Sequence, residues 1–107
     1  DAFHFDRSGS QLADLARLAP TRLRYAQLCD VPGPRPSDMA EILRQARSER
    51  RFPGDGCADL LGLLRRLPAQ IPLSLEIPTR HLLEQGVSAL ERAQMAMDKT
   101  QRLLQQL

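Results

Sequence analysis

Tryptophan is absent, and one tyrosine and three phenylalanines make up an aromatic content of 4%. Such a chain lacks the stacking platforms that hold single-stranded nucleic acid. An excess of charge of either sign is missing too. Lys+Arg number 15 against 13 Asp+Glu, a net charge of +2, too balanced for a nucleic-acid tail or an acidic solvating segment. No apolar run approaches the ~20 residues of a membrane-crossing helix, and the opening residues lack the basic-then-apolar form of a secretory signal. Neither nucleic acid nor a membrane is therefore expected as a partner. The two cysteines, Cys29 and Cys57, are too few for a disulfide framework and lack metal-knuckle spacing. Both read as reduced thiols of a cytoplasmic protein, each a small buried apolar side chain, with a single structural bridge as the alternative.

What is present is ordinary for one small globular domain: 107 residues, 42% apolar and 26% charged. Apolar periodicity alternates between the two regular periods. Asp1 to Phe5 reads as the end of a strand. Ser10 is placed to cap a helix with Leu12, Leu15, Ala16 and Ala19 on one face, stopped by Pro20. Residues Arg22 to Cys29 predict a strand, followed by the turn-rich Val31-Pro32-Gly33-Pro34-Arg35-Pro36. Ser37 is expected to cap a helix to about Arg47, and a leucine-rich helix is expected from Ala58 to Leu67. Gln70 to Ile77 is the clearest strand, because Ile71, Leu73, Leu75 and Ile77 alternate with Pro72, Ser74 and Glu76. The final helix opens on Ser88-Ala89-Leu90-Glu91, a capping box, and carries the stripe Leu90, Ala93, Met97, Leu104 and Leu107.

Strands separated by helical crossovers imply parallel pairing and an α/β architecture. Two strands and a stub do not close a parallel sheet, so residues 1–107 read as part of a larger protein. An open parallel edge is then expected to self-associate or to pair with the missing half.

The chemistry-bearing residues cluster at predicted strand ends. Glu76 shares a face with Ser74 and Pro72, opposite the apolar face. A carboxylate so placed is costly to bury unless it meets a cation or a proton-binding group. Gln27 holds the corresponding position on the preceding strand, with Asp30 just beyond. An amide oxygen there can ligate a hard ion or accept from a hydroxyl. Asp1 and His4 place a carboxylate and an imidazole three residues apart. Arg50 and Arg51 precede the loop Phe52-Pro53-Gly54-Asp55-Gly56, where guanidinium groups suit phosphate, carboxylate or vicinal hydroxyls.

In order and spacing, Asp1-Ala2-Phe3-His4, Tyr25-Ala26-Gln27-Leu28-Cys29-Asp30, Arg50-Arg51-Phe52-Pro53-Gly54-Asp55-Gly56 and Leu73-Ser74-Leu75-Glu76-Ile77-Pro78 resemble the xylose isomerase-like TIM-barrel superfamily of sugar-phosphate isomerases and epimerases. The resemblance implies the C-terminal part of a (β/α)8 barrel, from the end of strand six through helix eight. It implies an enzyme that moves a proton through an enediolate of a sugar or sugar phosphate, with an inosose-type dehydratase as the alternative. It further implies a divalent metal at Asp1, Gln27 and Glu76, with Gln27 standing where the family has histidine. That oxygen set favours Mn²⁺ or Mg²⁺ over Zn²⁺. Glu76 and His4 would be catalytic, and His4, Arg50 and Arg51 would bind substrate. The apurinic endonuclease branch needs more histidines than His4 and His81 supply.

Overall fold

A computed structural model describes residues 1–107. The first element is not a strand stub but a helix, α1 (Ala2–Ser8). Asp1 is its N-cap, its Oδ1 accepting from the Phe3 and His4 backbone N–H groups at 2.8 and 3.4 Å. The helix ends at Gly9, whose φ of 77° is the left-handed conformation that glycine adopts without penalty. An Asp cap and a Gly stop outweigh the short apolar run between them. A single turn, α2 (Leu12–Leu15), follows, and Gln11 rather than Ser10 precedes it. A 3-10 turn at Pro20–Arg22 then consumes the start of the expected strand. What remains is β1 (Ala26–Leu28).

Helix α3 (Met39–Ser48) is capped by Asp38, whose carboxylate accepts from Ala40 N–H, and not by Ser37. Helix α4 (Leu60–Leu64) is shorter than its leucine pattern, because Asp59 caps it late and its carboxylate takes the Gly62 N–H. The expected strand from Gln70 to Ile77 contracts to β2 (Leu73–Leu75), bounded by Pro72 and Pro78, which lack the donor a ladder needs. Strands β1 and β2 pair in parallel, Gln27 opposite Ser74. After them come α5 (Arg80–Glu84) and α6 (Ala89–Leu104). The capping box of α6 forms as the sequence predicts: Glu91 N–H donates to Ser88 Oγ at 3.2 Å, and Ser88 N–H donates to Glu91 Oε2 at 2.9 Å.

The expected barrel portion is overturned by this element list. A two-stranded parallel sheet with six α-helices forms, and the residues assigned to a third strand are helical. The apolar stripe of α6 is also rotated from its expected position. Ala96, Thr100 and Leu103 face inward, whereas Leu90, Met97 and Leu107 are exposed, Leu90 by 69%. No helix is long and apolar enough to cross a membrane. Both cysteines are free; Cys29 is the small buried side chain expected, and Cys57 is exposed.

One core cluster gathers Ala2, Leu28, Leu60, Leu63, Leu64 and Leu103, and a second gathers Phe3, Cys29, Val31 and Ile42. Two buried polar groups tie the loops to these clusters. Asp30 accepts four backbone N–H bonds, from Val31 and Ala58 on Oδ1 and from Gly54 and Gly56 on Oδ2, all between 2.8 and 3.0 Å. A Cβ on Gly56 would lie 2.4 Å from the Val31 carbonyl oxygen, so only glycine permits that approach. Arg7 donates to the carbonyls of Pro32 and Gly33 and to Gln45 Oε1, holding the proline-rich connection against α1 and α3.

Asp30→Ala leaves four N–H groups without acceptors around a buried site, and is expected to cost about 3 kcal/mol or more in urea unfolding. Acid acts on the helices. Bonds from Arg44 and then Gln45 hold the Glu41 carboxyl down from its ordinary 4.5 to about 2, and bonds from Ser88 lower Glu91. Because both folded values lie below the unfolded ones, this stabilisation is present above the unfolded values and is lost on acidification, for Glu41 as pH falls from 4.5 toward about 2. Carboxyl NMR is expected to place the Glu41 midpoint near 2, and replacing both residues by Gln is expected to flatten the fall of Tm over that range.

Candidate functional site

The chain after α3 runs extended between the two strand ends. Arg51 pairs with Asp30 beyond β1, its N–H donating to the Asp30 carbonyl at 2.9 Å and its carbonyl accepting from Asp30 N–H at 2.8 Å. On the other side Glu49 bridges to Thr79, and Arg50 N–H donates to the Pro78 carbonyl at 3.1 Å. Residues 49–51 are thus held to both strand mouths. Side chains alternate along extended backbone, so Arg50 projects away from its neighbours.

Its guanidinium is nearly fully buried, 5% exposed, and is held on every side. Nε donates to the Ala46 carbonyl at 3.0 Å. Nη1 donates to Asp1 Oδ2 at 3.0 Å and to Glu76 Oε2 at 3.3 Å, with the Glu76 carbonyl at 3.4 Å and Cys29 Sγ at 3.7 Å. The Phe3 ring lies beneath it, 5.0 Å from Cζ to the centroid, a cation–π distance. The same ring meets Arg7 at 5.5 Å. Burial pushes the Cys29 thiol up, while the Arg50 guanidinium pulls it the other way.

Of the six expected site residues, Asp1, His4, Arg50 and Glu76 therefore lie together. Asp1 is 12% exposed and Glu76 50%; His4 Nε2 lies 3.7 Å from Asp1 Oδ2. The four differ in freedom. Asp1 is committed to the α1 cap and to Arg50, whereas Glu76 and His4 open into a cleft of about 710 Å³ that Leu43, Arg47, Ile77 and Pro78 also line. Every bond Arg50 makes uses Nε or Nη1, which leaves its Nη2 hydrogens uncommitted to the chain.

Two expected site residues do not join this group. Gln27 is a half-buried mid-strand residue beside Ser74, and takes no part in the contacts of Asp1, Arg50 and Glu76. Arg51 lines a separate cleft of about 200 Å³ with Thr79, His81 and Met95. Arg50 borders both clefts, whereas Arg51 borders this one and not the one that Glu76 and His4 open into. His81 is half-buried, with Nδ1 buried and without a hydrogen-bond partner. Arg47 at the cleft and Arg7 beneath Phe3 were not anticipated. The signal for Arg7 was available, since it falls one helical turn after Phe3 once Asp1 is read as a cap.

The metal implied by the resemblance requires Asp1, Gln27 and Glu76 around one ion. Of these, two carboxylates meet, and what lies between them is a guanidinium; no group of three His, Cys, Asp or Glu side chains is placed to hold a metal. Hard divalent ions take six or more oxygen ligands. The donors present here do not fit that ion. Comparison with protein-family models, with curated proteins and with solved structures finds no match to the chain.

Because Arg50 compensates a nearly buried carboxylate, Arg50→Met is expected to cost about 3 kcal/mol or more in urea unfolding. Arg51→Ala, whose side chain sits at an open cleft, is expected to stay within about 0.5 kcal/mol.

Proposed function

We propose that the chain belongs to an isomerase or epimerase acting on a sugar or sugar phosphate, with Glu76 as the group that moves the proton. The observation that carries the reading is the state of Glu76. Its carboxylate is half-exposed to the cleft while one oxygen is oriented by Arg50 at 3.3 Å. A general base has to reach the substrate and hold a fixed direction, and this arrangement supplies both.

The chemistry follows from the neighbours. Glu76 takes the proton from the carbon beside a carbonyl, and the electron pair moves onto the carbonyl oxygen as an enediolate. The free Nη2 hydrogens of Arg50 face that developing negative charge in a partly dry site, where such a donor acts most strongly. His4, exposed at the rim beside Asp1, hydrogen-bonds a hydroxyl of the substrate. Protonated Glu76 then returns its proton to the neighbouring carbon, while the hydroxyl proton passes between the two oxygens. Arg47 adds a second positive charge to the cleft wall, which suits a phosphorylated substrate.

The full chain, incubated in deuterated water with a panel of aldoses, ketoses and their phosphates, is expected to place deuterium on the carbon beside the carbonyl. Glu76→Gln is expected to slow that exchange by about 100-fold or more, and Arg51→Ala to leave it unchanged. Exchange in Glu76→Gln at the rate of the parent chain contradicts the reading.

A further inference from the structure

We infer that the Arg50 guanidinium is the resident cation of the Asp1–Glu76 site, and that this site takes up no divalent metal while Arg50 is in place. The inference goes beyond the proposed reaction and stands independently of it. Three observations converge. First, the position between the two carboxylates is already filled, with Arg50 Nη1 at 3.0 Å from Asp1 Oδ2 and 3.3 Å from Glu76 Oε2. A divalent ion coordinated by those oxygens would lie within a few ångströms of a full positive charge. In a site where Arg50 is 5% exposed, solvent screens that repulsion poorly.

Second, Arg50 is held in place. A guanidinium keeps its proton under all ordinary conditions. Withdrawal would break the Nε bond to Ala46 and the stacking on Phe3 together. Third, the donors that would complete a coordination sphere are elsewhere or neutral. Gln27 offers an uncharged amide at mid-strand, and His4 contacts Asp1 from an exposed rim position.

The consequence concerns what the site binds. With the cation built into the chain, a ligand is met by N–H donors and not by a Lewis-acidic ion. The chemical class recognised is one with carbonyl, enolate, carboxylate or phosphate oxygens that accept from Arg50 Nη2.

The test is metal binding by the full chain, read without any activity assay. Titration with Mn²⁺, followed by the electron paramagnetic resonance signal of the free ion, is expected to show no uptake. Chelator and millimolar Mn²⁺ or Mg²⁺ are expected to leave Tm unchanged. Stoichiometric Mn²⁺ uptake that Glu76→Gln abolishes overturns the inference. Arg50→Ala, which leaves two carboxylates facing each other, is expected to gain Mn²⁺ affinity by at least about tenfold. A folded Arg50→Ala chain that binds Mn²⁺ no better than the parent also overturns it. If that variant fails to fold, the parent titration decides alone.

Discussion

Burying a guanidinium is tolerable only where the chain supplies both negative charge and hydrogen-bond acceptors, and the centre of this protein is arranged around that demand. Arg50 meets a carboxylate from the first helix, a carboxylate from beyond the second strand, a helix carbonyl and an aromatic face. The carboxylate of Asp1 and the Phe3 ring come from α1, the Ala46 carbonyl from α3, and Glu76 from just beyond the end of β2. The guanidinium therefore fixes α1 and the two strand mouths relative to one another, and a two-stranded sheet of three residues per strand has little else to do so. The side chain that holds the fold together also borders the cleft that Glu76 and His4 open into.

The loops around the cleft are held by the same means on a smaller scale. Asp30 spends both oxygens on four backbone N–H groups, so a residue that lies near the expected site does structural work and has no lone pair aimed at a ligand. Lys99 on α6 pairs with Asp55 of that loop at 2.6 Å, adding an outer tie. Arg7 secures the proline-rich connection in the way that Arg50 secures the mouths. The arrangement ties down the loops around the cleft while Glu76 and His4 retain exposure.

The grouping of four residues was legible before the fold was known, whereas the metal set that included Gln27 was not what formed. Asp1, His4, Arg50 and Glu76 were singled out from residue type and position, and they converge. The parallel relation of the Gln27 and Ser74 segments and the capping box of α6 followed from alternation and from Ser88 with Glu91. What failed did so for identifiable reasons. The first five residues were read by apolar content, although Asp1 and Gly9 bound them as a helix. Strand lengths were overestimated because Pro72 and the Pro20–Arg22 turn interrupt pairing without disturbing hydrophobic alternation. With them went the expected barrel portion. The cation's identity was beyond sequence spacing altogether: two carboxylates signal that a positive charge is needed, not whether it comes from an ion or from a side chain distant in sequence from both of them.

The most direct measurement is a double-mutant cycle in urea between Asp1→Asn, which keeps a cap on α1, and Arg50→Met. If the carboxylate and the guanidinium form the pair that organises the mouths, the two substitutions fall short of additivity by about 1–3 kcal/mol. Additive effects would mean that the two side chains act separately, and the central role given to Arg50 would be contradicted.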